Sequence, residues 1–209
     1  MGLIRGSASL TRFFVSGAFS RNNLDEYAKR ISRFAFVNLD DYSDMERSNG
    51  WVNIMDMFDT SFEGRTFFMH PYIALSFRVD IRKVPTNALK QHCREAEDKI
   101  KEAEDLEYLP KAKRKELKDF VWHQLLKRAI PRANTYDMIW NLETSLLIFG
   151  STSNKACDEF AEHFFKTFDL TLSPVFPYAI AHQHLEKKDK DTGPLDDLRA
   201  SDFTGALKE

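Results

Sequence analysis

The residues best placed to do chemistry in this chain are cations at helical spacing. The stretch PKAKRKELKDFVWHQLLKRAIPR, residues 110–132, holds eight basic residues and two acidic ones. Lys111, Lys115, Lys118 and Trp122 fall at i, i+4, i+7 and i+11, which is one stripe of a helix. Lys113 and Arg114 lie beside it, and Lys127, Arg128 and Arg132 add charge at the far end. A row of long, flexible cations suits non-specific contact with phosphates, which recur along a nucleic-acid backbone. Trp122 either stacks on a base or anchors the helix in a core, and anchoring is the commoner fate of a helical Trp. Immediately upstream, residues 95–107 carry seven acids and two lysines. Charge is therefore sorted along the chain, and two readings stand. One is the electrostatic footprint of a phosphate-backbone binder. The other is a solvated helical hairpin whose acidic arm neutralises its basic arm.

Other chemistry has weaker support. The six histidines form no ligand set: His182 and His184 are two apart, while His92, His123 and His163 are isolated on predicted helices. Carboxylates gather at Asp40, Asp41, Asp44 and Glu46, and again at Asp56 and Asp59. A nuclease could hold magnesium with such acids, but acids in loops more often cap turns or face water. Neither a glycine-rich phosphate cradle nor a nucleophile elbow is present. The sequence thus reads as a non-enzyme, with no catalytic residues, no metal and no cofactor.

The elements that must position the basic row follow from periodicity. Pro85 and Thr86 open a long helix in which Leu89, Cys93, Ala96, Ile100 and Ala103 recur at spacings of four and three, a narrow coiled-coil-like seam. Leu109-Pro110 breaks it, with Pro110 as the first residue of a second helix that Pro131 stops. Leu117, Val121 and Leu125 give that helix an apolar stripe, so an antiparallel helical arm is expected over 85–131. The two stripes can satisfy each other within one subunit. Trp122 and Ile130 need not be covered by that pairing, which makes them candidates for contact with a second subunit.

An N-terminal α/β part is expected over 1–84. Ser9 to Val15 reads as a strand, and Asn22 or Asn23 can cap a helix to about Phe34. Phe34 to Val37 reads as extended, and Asp40 to Asn49 as polar and turn-rich. Asn49-Gly50-Trp51 then leads into an aromatic stretch through Phe58. Arg65 to Met69 and Tyr72 to Val84 read as strands around a turn at His70-Pro71, with Ile73, Leu75, Phe77, Val79 and Ile81 on one face. Residues 132–185 complete the α/β core. Asn134 to Leu142 and Leu146 to Phe149 form the clearest hairpin. A helix follows with Cys157, Phe160, Ala161, Phe164, Phe165 and Phe168 on its apolar side, and Leu172 to Tyr178 reads as an edge segment limited by its prolines. Residues 186–209 read as a disordered tail.

Composition bounds these readings. The chain has 209 residues, is 43% hydrophobic and contains eighteen Phe, enough for one substantial core. A pI near 6.3 makes global attraction to nucleic acid weak, so binding must come from local charge and be salt-sensitive. Cys93 and Cys157 fall on apolar helical faces and read as core residues in a reducing cytosol, with no disulfide framework. No membrane span or convincing signal peptide is visible.

With these elements in place, residues 34–176 resemble the bacterial recombination-associated protein RdgC family. The likeness rests on Asn49-Gly50-Trp51-Val52, on Val84-Pro85-Thr86 opening an acidic-then-basic helical pair, and on Leu125-Leu126-Lys127-Arg128-Ala129-Ile130. Met138-Ile139-Trp140 in the hairpin and Ser173-Pro174-Val175 complete it. The resemblance implies an α/β (α+β) fold with antiparallel sheet elements, packed helices and a projecting helical arm. It implies non-specific, double-stranded DNA binding, ring-shaped dimers with a positively charged hole, antagonism of RecA in recombination, and a nucleoid-associated, cytoplasmic protein. Lys111, Lys113, Arg114, Lys115, Lys118, Lys127, Arg128 and Arg132 would then face DNA, and Ile130 would lie near a subunit contact. The family also carries an exonuclease label. Its members continue into a further folded C-terminal region where this chain has its charged tail; if that region helps close the ring, an open dimer, another oligomer or a monomer is expected instead. The alternative reading is a protein-interaction module that acts on a recombination partner without touching DNA.

Overall fold

The computed structural model describes residues 9–17, 24–39, 44–62, 65–186 and 188–198. The expected caps Asn22 and Asn23 and the acids Asp40 and Asp41 lie outside these residues. The fold is mixed α/β, as the sequence implies. Its strands are β1 (Thr11–Ser16), β2 (Arg47–Val52), β3 (Phe68–Met69), β4 (Tyr72–Ile81), β5 (Arg132–Asn141), β6 (Leu146–Phe149) and β7 (Thr171–Pro174). They form one seven-stranded sheet in the order β2-β4-β5-β6-β1-β7, with β3 pairing β4 off this path. The named strand pairs are all antiparallel. Helices α1 (Leu24–Arg33) and α4 (Asn154–Phe168) cover one face. Among the described residues, no helix is long and apolar enough to cross a membrane.

Strand β4 alternates as its sequence predicts, and Ile73, Leu75, Phe77 and Val79 enter the core under the helices. Its other face is buried too. Ala74, Ser76, Arg78 and Asp80 are covered, although their polar character suggests an open face. Arg78 makes two hydrogen bonds to the Asp80 carboxylate, at 2.8 and 2.7 Å, and a third to the Met57 carbonyl. Its guanidinium lies 4.1 Å from the centre of the Phe36 ring. A buried charge persists only when it is paired and its donors are occupied, and here the pairing also ties the segment around Met57 to the sheet.

Strand β2 replaces the expected turn at its polar start. Gly50 explains its course, because a Cβ there would lie 2.4 Å from the Phe36 backbone. Only glycine admits that approach, and Phe36 N–H in turn donates to the Trp51 carbonyl. The first strand of the expected β3–β4 pair is also shorter than its sequence suggests, starting at Phe68 rather than Arg65. The edge segment ends at Pro174, and Pro177 opens α5 (Pro177–Glu186). Within the segment expected as a tail, Gly193–Asp196 forms one helical turn, α6, and Tyr178 Oη donates to Asp196.

Helix α4 is rotated slightly from its expected face. Phe160, Phe164 and Phe168 are buried with His163 and Thr167, while Phe165 points outward. Trp51 sits against this row, 5.0 Å from His163 between ring centroids. Its Nε1–H donates to Thr167 Oγ1 at 2.8 Å, and the Thr167 hydroxyl donates to the His163 carbonyl. Burial drives the His163 pKa down to about 4, a shift aided by Lys166 and opposed by Glu162 and a hydrogen bond to the Phe34 backbone. The imidazole is therefore neutral in the folded protein and takes up a proton more readily when unfolded. Stability should fall as pH drops from about 6.5 toward 4, by up to about 3 kcal/mol from this group. Denaturant titrations at pH 7 and pH 5 should show about 2 kcal/mol of that loss in the native chain and less in His163→Gln.

Candidate nucleic-acid interface

The helical arm is built as its two stripes require. Helix α2 (Thr86–Glu104) and helix α3 (Lys111–Arg128) pack antiparallel, and α2 buries no residue fully. Pro110 sits one residue outside α3, in extended conformation, and its carbonyl accepts the Arg114 N–H. The arm connects β4 to β5, so both its feet stand where Ile81 pairs with Arg132. Of its seam residues, Leu89, Cys93, Ala96, Ile100, Leu117 and Leu125 are half-buried, and Ala103 is exposed. Val121 and Leu126 are the buried positions of α3, and Leu126 is only 1% exposed.

The charges divide into two groups. Lys113 Nζ lies 2.6 Å from Glu104, and Arg114 lies 2.7 Å from Glu97, so part of the acidic helix does neutralise part of the basic one. Glu97 also receives Lys101, and these donors hold its carboxyl below the usual range. Lys127 reaches Asp44 at 3.8 Å. Among the described residues, Lys111, Lys115, Lys118, Arg128 and Arg132 make no ion pair, and all five are exposed. The first turn of α3 contains no acid although a helix N-terminus favours one. Cations there oppose the helix dipole, and together with the free N–H groups they raise the local positive potential.

The proposed subunit-contact residues diverge. Ile130 is 91% exposed, beyond the end of α3. Trp122 is half-buried, with its ring 4.8 Å from that of His123. Phe120, which the sequence reading did not single out, is 60% exposed on the same helix. Lys90 and Arg94 on α2 were also missed, because that helix reads as the acidic partner. Their signal is their spacing beside Leu89 and Cys93 on the seam.

Two of the clustered loop acids are engaged in local structure. Asp56 accepts the Phe58 N–H, and Asp59 accepts from Ser61 and Asn53, which lowers its pKa. Among the described residues, no three or more His, Cys, Asp or Glu side chains are grouped to hold a metal ion.

An antiparallel α/β domain carrying a charge-sorted helical arm between two paired strands is the class these features define. The family described as "Putative exonuclease, RdgC" matches residues 10–186, and the chain belongs to that family. It is similar to the "Recombination-associated protein RdgC" of Serratia proteamaculans (strain 568), with 29% identity over 137 residues. That match covers 66% of this chain and 43% of the relative, so less than half of the relative's length is represented.

The burial pattern separates residues that hold the arm from residues it displays. Leu126→Ala should cost about 2–5 kcal/mol, as expected for a fully buried leucine. Phe120→Ala should change stability by less than about 0.5 kcal/mol, as surface substitutions do. Urea denaturation of the two variants measures the difference.

Proposed function

We propose that the arm binds the phosphate backbone of double-stranded DNA without reading its sequence, as part of a recombination-associated role. The observation that carries this reading is the set of five exposed cations with no ion-pair partner among the described residues, Lys111, Lys115, Lys118, Arg128 and Arg132. The arm's apolar seam accounts for its folding without them, and three of them sit against a helix dipole of the same sign or beside the arm's foot. Lys113, Arg114 and Lys127 form a reserve whose present partners are acids. Membership of the RdgC family and the name of the Serratia relative support the recombination role. Antagonism of RecA and association with the nucleoid are the physiological form we assign to it.

The reading is of a binder rather than a nuclease. Asp56 and Asp59 serve as turn acceptors, and Glu97 and Glu104 of the arm pair with its own cations. The exonuclease label of the family is not needed to account for any of these contacts.

Five neutralised phosphates should give a slope of log affinity against log salt of about −4 to −5. Removing the internal competitors, in a Glu97→Gln/Glu104→Gln variant, should free Arg114 and Lys113 and steepen the slope to about −6. Fluorescence anisotropy with a labelled duplex and unrelated competitor sequences tests both. Absence of binding at low salt, or an unchanged slope in the variant, contradicts the reading.

We assign Ile130 to a contact with a second copy of the chain, with the half-buried Trp122 as the second candidate. An isoleucine exposed to this degree at the foot of the arm has no role in the subunit's own core. Ile130→Asp should leave monomer stability unchanged and weaken the dimer by a few kcal/mol, about a hundredfold or more, because it places an unpaired charge in an apolar contact. Light scattering over a dilution series measures it, and an unaltered dimer places the interface elsewhere.

A further inference from the structure

One side of the arm carries a groove that the DNA reading does not use. It has a volume of about 320 Å³ and lies between α2 and α3, against the first half of α3. Its floor is aliphatic, formed by Leu89, Cys93 and Leu117. Burial pushes the Cys93 thiol pKa up, against the pull of Lys118, so the sulfur is protonated and behaves as apolar lining. Four cations stand around this floor: Lys90, Arg94, Arg114 and Lys118. The one carboxylate there, Glu97, is already neutralised by Arg114 and Lys101. Lys90, Arg94 and Lys118 make no ion pair among the described residues.

An apolar floor ringed by unpaired cations fits an anion that also carries a hydrophobic group. We propose that this groove docks an acidic segment of a partner protein, seating one large apolar side chain on Leu89, Cys93 and Leu117 while its carboxylates meet Lys90, Arg94 and Lys118. A volume of about 320 Å³ accommodates one large apolar side chain. The lining chemistry selects this occupant. Single-stranded nucleic acid is held by stacking bases on aromatic rings, and no aromatic side chain lines the groove. Desolvated apolar anchors surrounded by complementary charge are the usual basis of peptide affinity and specificity. This inference goes beyond DNA binding and does not depend on it, although Lys118 and Arg114 belong to both surfaces.

The test uses the full chain and a fluorescein-labelled synthetic peptide of aspartates containing one phenylalanine. The peptide should bind and should slow alkylation of Cys93 by iodoacetamide. Arg94→Glu, on the exposed rim, should weaken binding by about tenfold or more, and so should Cys93→Trp, which fills the floor. Cys93→Trp should leave duplex DNA affinity within about twofold, since it removes no phosphate contact. The wild-type protection assay needs no substitution and holds even if Cys93→Trp perturbs the arm. Equal binding of a peptide whose phenylalanine is replaced by glycine, or no protection of Cys93, overturns the proposal. An equal loss of DNA and peptide binding in a folded Cys93→Trp protein also overturns it, by giving the groove to nucleic acid. Loss of the DNA reading alone shows in wild-type duplex titrations and leaves the peptide result standing.

Discussion

The pairing of β4 with β5 is the constraint on which the rest of the structure depends. The two strands run side by side through ten residue pairs, from Tyr72 opposite Asn141 to Ile81 opposite Arg132. They form a β-hairpin in which residues 82–131, the whole arm, take the place of the turn. Closing so long a connection costs roughly 2 kcal/mol more than closing a four-residue turn, because loop entropy grows only with the logarithm of length. An uninterrupted ladder between two central strands easily offsets that. The register also fixes Ile81 and Arg132 as neighbours, so α2 must leave and α3 must return at one point. The arm's direction is thereby set by the sheet, and its own seam has only to hold two helices together.

How far the sequence revealed this depends on whether a signal was local. The β5–β6 hairpin was legible because Tyr136, Met138, Trp140 and Leu142 alternate cleanly and a short polar turn follows. The arm was legible from two stripes and two prolines. Strand β2 was not, because Arg47, Ser48, Asn49 and Gly50 have poor strand propensity. Gly50 is there for the close passage of Phe36, a contact between segments that no local pattern encodes. The same holds for Arg78 and Asp80. They alternate with the apolar positions of β4, and they are buried because Phe36 and the segment around Met57 cover them. Helix α4 misled in a smaller way. A run of Phe drew the apolar face toward Phe165, whereas His163 and Thr167 occupy the core through their contacts with Trp51. A polar residue satisfied by a distant partner carries no hydrophobic signal of its own.

The candidate site shows the same division. Sorted charge is a property of the chain and was visible at once. Which cations are spent on internal pairs depends on how two helices are superposed across a turn, and sequence order does not give it. Glu104 meets Lys113 and Glu97 meets Arg114, so the reading of an acidic helix that neutralises its basic neighbour describes part of the arm. The neutralised pairs lie toward the tip and on the seam side of α3. The unpaired cations form a stripe along α3 and a cluster at its foot.

This arrangement makes the arm two-sided, with Lys118 and Arg114 at the boundary. Both line the groove, and both belong to the basic row. A cation committed to a carboxylate is not available to a phosphate at the same moment. An acidic ligand in the groove would therefore withdraw charge from the stripe we assign to DNA without covering Lys111, Lys115, Arg128 or Arg132. Glu97 already acts in this way toward Arg114 from within the chain. The internal carboxylates hold the arm's positive potential below its maximum, and an external acidic segment would lower it further. Such coupling needs no conformational change. It would follow from two anionic partners drawing on the Lys118 side chain, and by linkage each would weaken the other to the same degree.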